Sequence, residues 1–204
     1  MTETTSKPKA KTTARRAGPK RSEVSRLAVQ NSALKELVEN GWRSFSVDRV
    51  AKNAKASKQT IYRWWATPAC MVVEAALETL PKSEDPNTTP EERILALISP
   101  LFTTIRNGDG AHMWRGILLA AADDEEAGEI FRKWVMESIR KPLRFILAEQ
   151  ANKGLIRRDW EIDFALESLL GPLWHRIAAM RAPLPDGYAE RVTDALMTNL
   201  KKDL

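Results

Sequence analysis

Apolar residues recur at helical intervals along almost the whole chain. Val29, Ala33, Leu34, Leu37 and Val38 form one seam, predicting a helix over 22–40 that Gly41 ends as a C-cap. Val47, Val50, Ala51 and Ala54 stand at i, i+3, i+4 and i+7, predicting a second helix capped by Ser46, with Asp48 in its first turn. After the short break AKAS, Ser57 caps a third whose apolar members are Ile61, Trp64 and Trp65. Trp42 and Phe45 are expected to pin the first connection to the core. Thr67 caps a fourth helix, with Pro68 at its first position and a stripe of Ala69, Val72, Val73, Ala76, Leu77 and Leu80.

The turn-rich segment PKSEDPNTTP, 81–90, marks a boundary. Beyond it the pattern predicts helices from Thr89-Pro90 to about 106, over 112–122, from 123 or 124 to 152, over 159–180 and over 186–200. Pro142 lies inside the long third one and is expected to kink or loosen it. No alternating β pattern is long enough for a sheet. The expectation is an all-α fold of about nine helices, divided into a basic tail over 1–20, a three-helix unit over 21–66, a connecting helix over 67–80 and a larger helical domain over 81–204.

Charge sharpens this division. Residues 1–66 hold 15 Lys/Arg against 5 Asp/Glu, whereas the remainder holds 17 against 22. A basic first third joined to an acidic remainder points to a polyanionic partner, or else to a solvated surface with a disordered tail. Lys7, Lys9, Lys11, Arg15, Arg16 and Lys20 can track phosphates or enter a minor groove, or simply keep the tail soluble. No apolar run of about 18 residues is present, so no membrane span is expected. The start lacks the apolar core of a secretory signal, and the one cysteine, Cys70, excludes an internal disulfide and suits the cytoplasm.

Catalytic chemistry finds little support. Two histidines 63 positions apart and one cysteine do not make a metal shell, and no phosphate-binding glycine loop or Gly-x-Ser-x-Gly elbow occurs. The run from Asp123 to Glu126 fits a helix start. The expectation is no catalytic residue, no metal and no cofactor.

The third helix packs by one side and offers polar and basic groups on the other, as a helix in a DNA major groove does. Lys58, Gln59 and Thr60 lie at its N-terminal end, where base edges are reached: Lys58 suits guanine O6/N7, Gln59 adenine N6/N7, and the Thr60 methyl thymine. Tyr62 and Arg63 lie one turn later and suit phosphates or an outer base, Trp64 can donate its N–H to a phosphate, and Ser46 can cap its helix or bond a phosphate there.

The run from Val29 to Leu77 resembles the DNA-binding domain of TetR-family transcriptional regulators. The matching residues are Ala33-Leu34, Leu37, Glu39 and Gly41, then Phe45-Ser46-Val47-Asp48 with Val50-Ala51, then Ser57-Lys58, Thr60-Ile61-Tyr62-Arg63 and Trp65, all three blocks in order and spacing. Leu170 to Trp174 followed by Pro185 and an amphipathic last helix looks like one TetR C-terminal subtype. The chain departs from the family at Lys55, where the turn usually has glycine; at Thr67-Pro68, in place of Ser-Lys; and at Trp64.

The resemblance implies a cytoplasmic repressor that binds an inverted-repeat operator in double-stranded DNA as a homodimer and is released by a small, largely apolar or aromatic effector. The expected effector residues are Phe102, His112, Met113, Trp114, Phe131, Trp134, Phe145 and Trp174, each also a candidate for plain core. The expected dimer surface is Phe164, Leu166, Leu169, Leu170, Leu173 and Ile177 with Tyr188, Val192, Leu196 and Leu200; the other reading is that these complete the core of a single chain. The rival function is a helical small-molecule-binding or scaffold protein with non-specific DNA binding.

Overall fold

The computed structural model describes residues 19–82 and 88–201, with side chains from residue 22. The expected basic tail over 1–20 lies outside it up to residue 18. Ten α-helices follow: α1 (Pro19–Asn40), α2 (Val47–Asn53), α3 (Lys58–Trp64), α4 (Pro68–Thr79), α5 (Pro90–Arg106), α6 (Gly110–Asp123), α7 (Glu125–Val135), α8 (Lys141–Asn152), α9 (Ile162–Trp174) and α10 (Tyr188–Leu200). A π-helical turn, Met136–Arg140, joins α7 to α8, and another, His175–Ala179, extends α9. Counted as continuous rods, these are the expected nine among the described residues. The one β-type contact there is an isolated antiparallel bridge between Ile156 and Lys201.

The caps form as their chemistry requires. Ser46, Ser57 and Thr67 each accept from the backbone N–H three residues on, and Thr89 with Glu92 closes a full capping box at α5. The first helix starts at Pro19, three residues before its expected start at 22. α9 starts at Ile162 rather than 159, and α10 at Tyr188 after Gly187 rather than at 186.

Pro142 acts through the π turn ahead of it. Proline cannot donate to the carbonyl four residues back and its ring crowds that carbonyl; widening the turn at 136–140 absorbs both.

One buried core runs through the molecule, from Val29, Leu37 and Ile61 to Ile146, Leu173 and Leu200. α4 is its axle: Ala69, Cys70, Met71, Val72, Val73, Ala75 and Ala76 are all buried, between α1 on one side and α6 and α7 on the other. α1 also meets α6 closely. A Cβ on Gly116 would lie 2.8 Å from Leu37 Cδ1, and Leu37 is itself fully enclosed. Side chains clamp the same joint: Trp42 Nε1 donates to Asp123 Oδ2 at 2.9 Å. The three-helix head is therefore set on the larger domain by packing and by polar contacts together.

Candidate functional site: an exposed reading helix and a groove behind it

α3 is short, so its orientation depends on what holds its two ends. At the start, Ser57 Oγ accepts from the Thr60 N–H at 3.1 Å and lies 2.8 Å from Thr60 Oγ1. The Thr60 hydroxyl is thus occupied locally. Underneath, Ile61 is buried; at the far end Trp65 has left the helix in extended conformation and is buried too. Trp65 Nε1 donates to Glu74 Oε2 at 2.7 Å, tying the end of α3 to α4.

The turn before α3 is made by Lys55, whose φ of 52° is left-handed. Ala56 N–H donates across it to Ala51 O at 3.0 Å. A side chain in that region costs about 1 kcal/mol against glycine.

The opposite flank of α3 is open. Lys58, Gln59, Tyr62 and Arg63 are exposed, while Thr60 and Trp64 are half-buried. Trp64 meets Trp65 edge-on at 5.7 Å, and the Arg63 guanidinium lies over the Trp64 ring at 5.8 Å. Lys58 Nζ pairs with Asp48 Oδ1 at 2.5 Å, and this hydrogen bond raises the lysine pKa above its ordinary value.

α2 is fixed to α1 by a buried carboxylate. Glu36, 2% exposed, accepts from Arg49 Nε at 2.8 Å, and the same guanidinium reaches Ser44 O. The bond holds the Arg49 pKa above its ordinary value. Ser46 caps α2 through the Arg49 N–H at 3.4 Å and is half-buried at the edge of the open flank.

Behind the head, α4, α5 and the α7–α8 rod leave a groove of about 570 Å³. Leu77, Leu80, Leu97, Pro100, Leu101 and Trp134 form its apolar lining, and Glu78, Glu137, Ser138 and Lys82 its polar part. A recess of about 490 Å³ continues from it over Glu74, Ile130 and Lys133, sharing Leu77, Glu78, Trp134, Glu137 and Ser138. Arg26 of α1 spans the two carboxylates of α4, donating to Glu78 Oε1 at 2.6 Å and to Glu74 Oε2 at 3.3 Å, while Gln30 Nε2 donates to Glu78 Oε2 at 2.8 Å. Burial alone would raise the Glu78 pKa, but these donors outweigh it and hold the carboxyl below its ordinary value.

Residues 87–196 match the family described as "Tetracyclin repressor-like, C-terminal domain". The chain belongs to the TetR family of transcriptional regulators. Among curated relatives, the HTH-type transcriptional regulator YdeS of Bacillus subtilis (strain 168) is 27% identical over 188 residues, covering 90% of this chain and 92% of that one. The DNA-binding transcriptional repressor TetR of Mycobacteroides abscessus is 24% identical, covering 87% and 94%. Among solved structures, the TetR family regulator SCO0332 superposes with a TM-score of 0.61 at 21% identity, covering 87% of this chain and 99% of its own. FadR from Bacillus subtilis, solved in complex with stearoyl-CoA, gives 0.64 at 16% identity, covering 87% and 98%. No helix among the described residues is long and apolar enough to cross a membrane.

Not every residue expected to serve a TetR regulator stands where its role needs it. Leu169, Leu173, Ile177, Val192 and Leu196 are buried within the single chain, as are Leu170 and Leu200, so these helical stripes help close the chain's own core. Of the expected dimer residues Phe164 is open, 49% exposed, and Leu166 and Tyr188 are half-buried. On the same rod α9 shows Gly171, whose missing Cβ would meet nothing, and the π turn that extends it shows His175 and Ala178 on the exposed side.

The expected effector residues scatter. Trp134 lines the large groove. Phe102 lines a separate cavity of about 100 Å³ with Arg106 and Tyr188. Trp114 is fully buried against Trp174, ring centroids 6.3 Å apart, and its Nε1 has no partner among the described residues. Phe131 bridges Trp174 and Trp134. Met113 is half-buried, His112 is exposed and Phe145 stands 67% exposed at the surface. The groove leaves no aromatic signal in the sequence, because most of its lining is aliphatic and comes from α4, the segment after it, α5 and the α7–α8 rod.

Proposed function

We propose that this TetR-family protein is a homodimeric repressor, working in the cytoplasm, that reads an inverted-repeat operator with α3 and is released when a small effector fills the groove behind the head. The observation that carries the reading is the pinning of α3 by Ile61 and Trp65 with Lys58, Gln59, Tyr62 and Arg63 left open on the other flank. Lys58, Gln59 and the Thr60 methyl meet base edges; Tyr62, Arg63 and Ser46 meet phosphates and set the register. Trp64, half-buried beneath Arg63, supports that cation and offers its N–H at the rim.

One such head covers little DNA, and two related by a two-fold axis supply both affinity and a palindromic site. The open side of α9 suits that axis: Phe164, Gly171, His175 and Ala178 recur at helical spacing, and Gly171 permits close approach of a second α9. The exposed side of α10 is mostly polar, with Glu190, Arg191, Asp194, Thr198 and Asn199.

Selection of genomic fragments retained by the purified protein tests the proposal. A shared palindrome bound tightly at physiological salt is the expected outcome. Binding that fades equally for all sequences as salt rises identifies a non-specific DNA binder instead.

A further inference from the structure

The groove's charge narrows what can fill it. Three carboxylates, Glu74, Glu78 and Glu137, stand on its walls against two ammonium groups, Lys82 and Lys133. Both lysines are exposed at the rim; Glu78 and Glu137 are exposed too, and the Glu74 side chain is about one-third exposed. The cations paired with these carboxylates come from outside the lining: Arg26 on Glu74 and Glu78, and Lys141 on Glu137. A charged molecule entering an apolar groove must find a counter-charge, and a cation finds the Trp134 ring together with carboxylates for which it must compete with Arg26 and Lys141.

We propose that the groove takes an apolar molecule bearing a positive charge, a lipophilic amine or onium, and that this molecule acts by competing with Arg26 for Glu78 and Glu74. The inference rests on the regulator reading above and names the ligand class and the route of its signal. Glu74 is the shared element. It faces the recess, it accepts from Trp65 Nε1 at the end of α3, and it accepts from Arg26, whose guanidinium also lies over the Trp65 ring at 5.4 Å. A cation drawn to these two carboxylates weakens the hold of α4 on α1 and on the end of the reading helix. The ligand therefore has higher affinity for the state in which the head is loosened, which is the condition for shifting the population away from DNA binding. A neutral molecule fills the floor and leaves the clamp closed; an anion meets the carboxylates first.

Tetraphenylphosphonium and tetraphenylborate have one shape and opposite charge, and isothermal titration of each into the full chain reads the preference directly. The phosphonium is expected to bind at least about tenfold more tightly than the borate, and Trp134→Leu to weaken it by about the same factor. Glu78→Gln is expected to weaken it further but also unpairs Arg26. Glu137→Gln touches neither head helix and is expected to cost about threefold with the fold intact. Amide exchange within α1 and α3 is expected to quicken on adding the phosphonium. Equal or tighter borate binding overturns the ligand class and moves the charge preference to Lys82 and Lys133; phosphonium binding with unchanged exchange in α1 and α3 overturns the route. Binding to a selected operator is measured alongside without ligand: a protein that holds the operator but ignores the phosphonium refutes this inference alone, whereas one that holds no operator refutes the regulator reading.

Discussion

Lys58 Nζ lies 2.5 Å from Asp48 Oδ1, so the first side chain of the reading helix is held by the second residue of α2. Both groups are exposed, on the flank proposed to face DNA. A carboxylate there repels phosphates and must release its lysine before Lys58 can donate to a base. On the proposed reading Asp48 is expected to work against indiscriminate binding, since only a well-placed acceptor repays the lost pair.

Asp48→Asn is expected to tighten binding to a random duplex by about threefold at low salt, with a smaller gain on the operator. Fluorescence anisotropy on both duplexes across a salt series measures the two shifts. Equal gains on both would show that Asp48 has no part in discrimination.

Gln59→Ala is expected to relax base preference at one position of each half-site, by about 1–3 kcal/mol of lost discrimination. Arg63→Ala and Tyr62→Ala are expected to weaken all sequences alike and to lower the salt slope for the arginine. Mobility shifts on the operator and on single-base variants separate the patterns, and an unaltered preference in Gln59→Ala removes that residue from base reading.

Lys55 occupies a left-handed turn that glycine adopts without strain. Lys55→Gly is expected to stabilise the chain by up to about 1 kcal/mol. A calorimetric melting scan reads this as a rise in Tm; an unchanged or lower Tm would mean that the glycine's extra unfolded-state entropy offsets the relief.

Phe164→Glu and Gly171→Glu place charge on the open side of α9, where a second copy is proposed to sit. Each is expected to give a sedimentation mass near the 23.0 kDa of one chain while helicity is retained. A wild-type mass already at that value would count against the α9 interface.

The Glu78 carboxyl titrates below its ordinary 4.5 because Arg26 and Gln30 donate to it. A depressed carboxylate pKa means that the folded chain binds fewer protons than the unfolded chain, so its contribution is complete above about pH 4.5 and is lost as pH falls through the folded value. Acid melting curves of Glu78→Gln are expected to converge on wild type below that range and to lie beneath it at neutral pH. Parallel curves at all pH values would show that the clamp carries no linked proton.

Local chemistry made most of the helices legible. Ser46, Ser57 and Thr67 each had one backbone donor within reach, so their caps and the starts of α2, α3 and α4 followed from residue type and position. The open flank of α3 followed from Ile61 and Trp65 packing on the other side. Helical stripes on α9 and α10 were legible as buried faces, but burial in a neighbouring helix and burial in a second copy leave the same stripe in a sequence. Leu169, Leu173, Ile177, Val192 and Leu196 proved to face their own chain.

What the sequence by itself determined is the set of choices made within a few residues of one another: where helices start, which face of each is apolar, and which short rod carries Lys58, Gln59, Tyr62 and Arg63. Those depend on capping, periodicity and charge along one stretch of backbone. The groove under Trp134, the clamp of Arg26 on Glu74 and Glu78, and the pair of Asp48 with Lys58 join residues from separate helices. Only tertiary packing decides such meetings, because the angle and register between rods are set by how whole side-chain surfaces interlock.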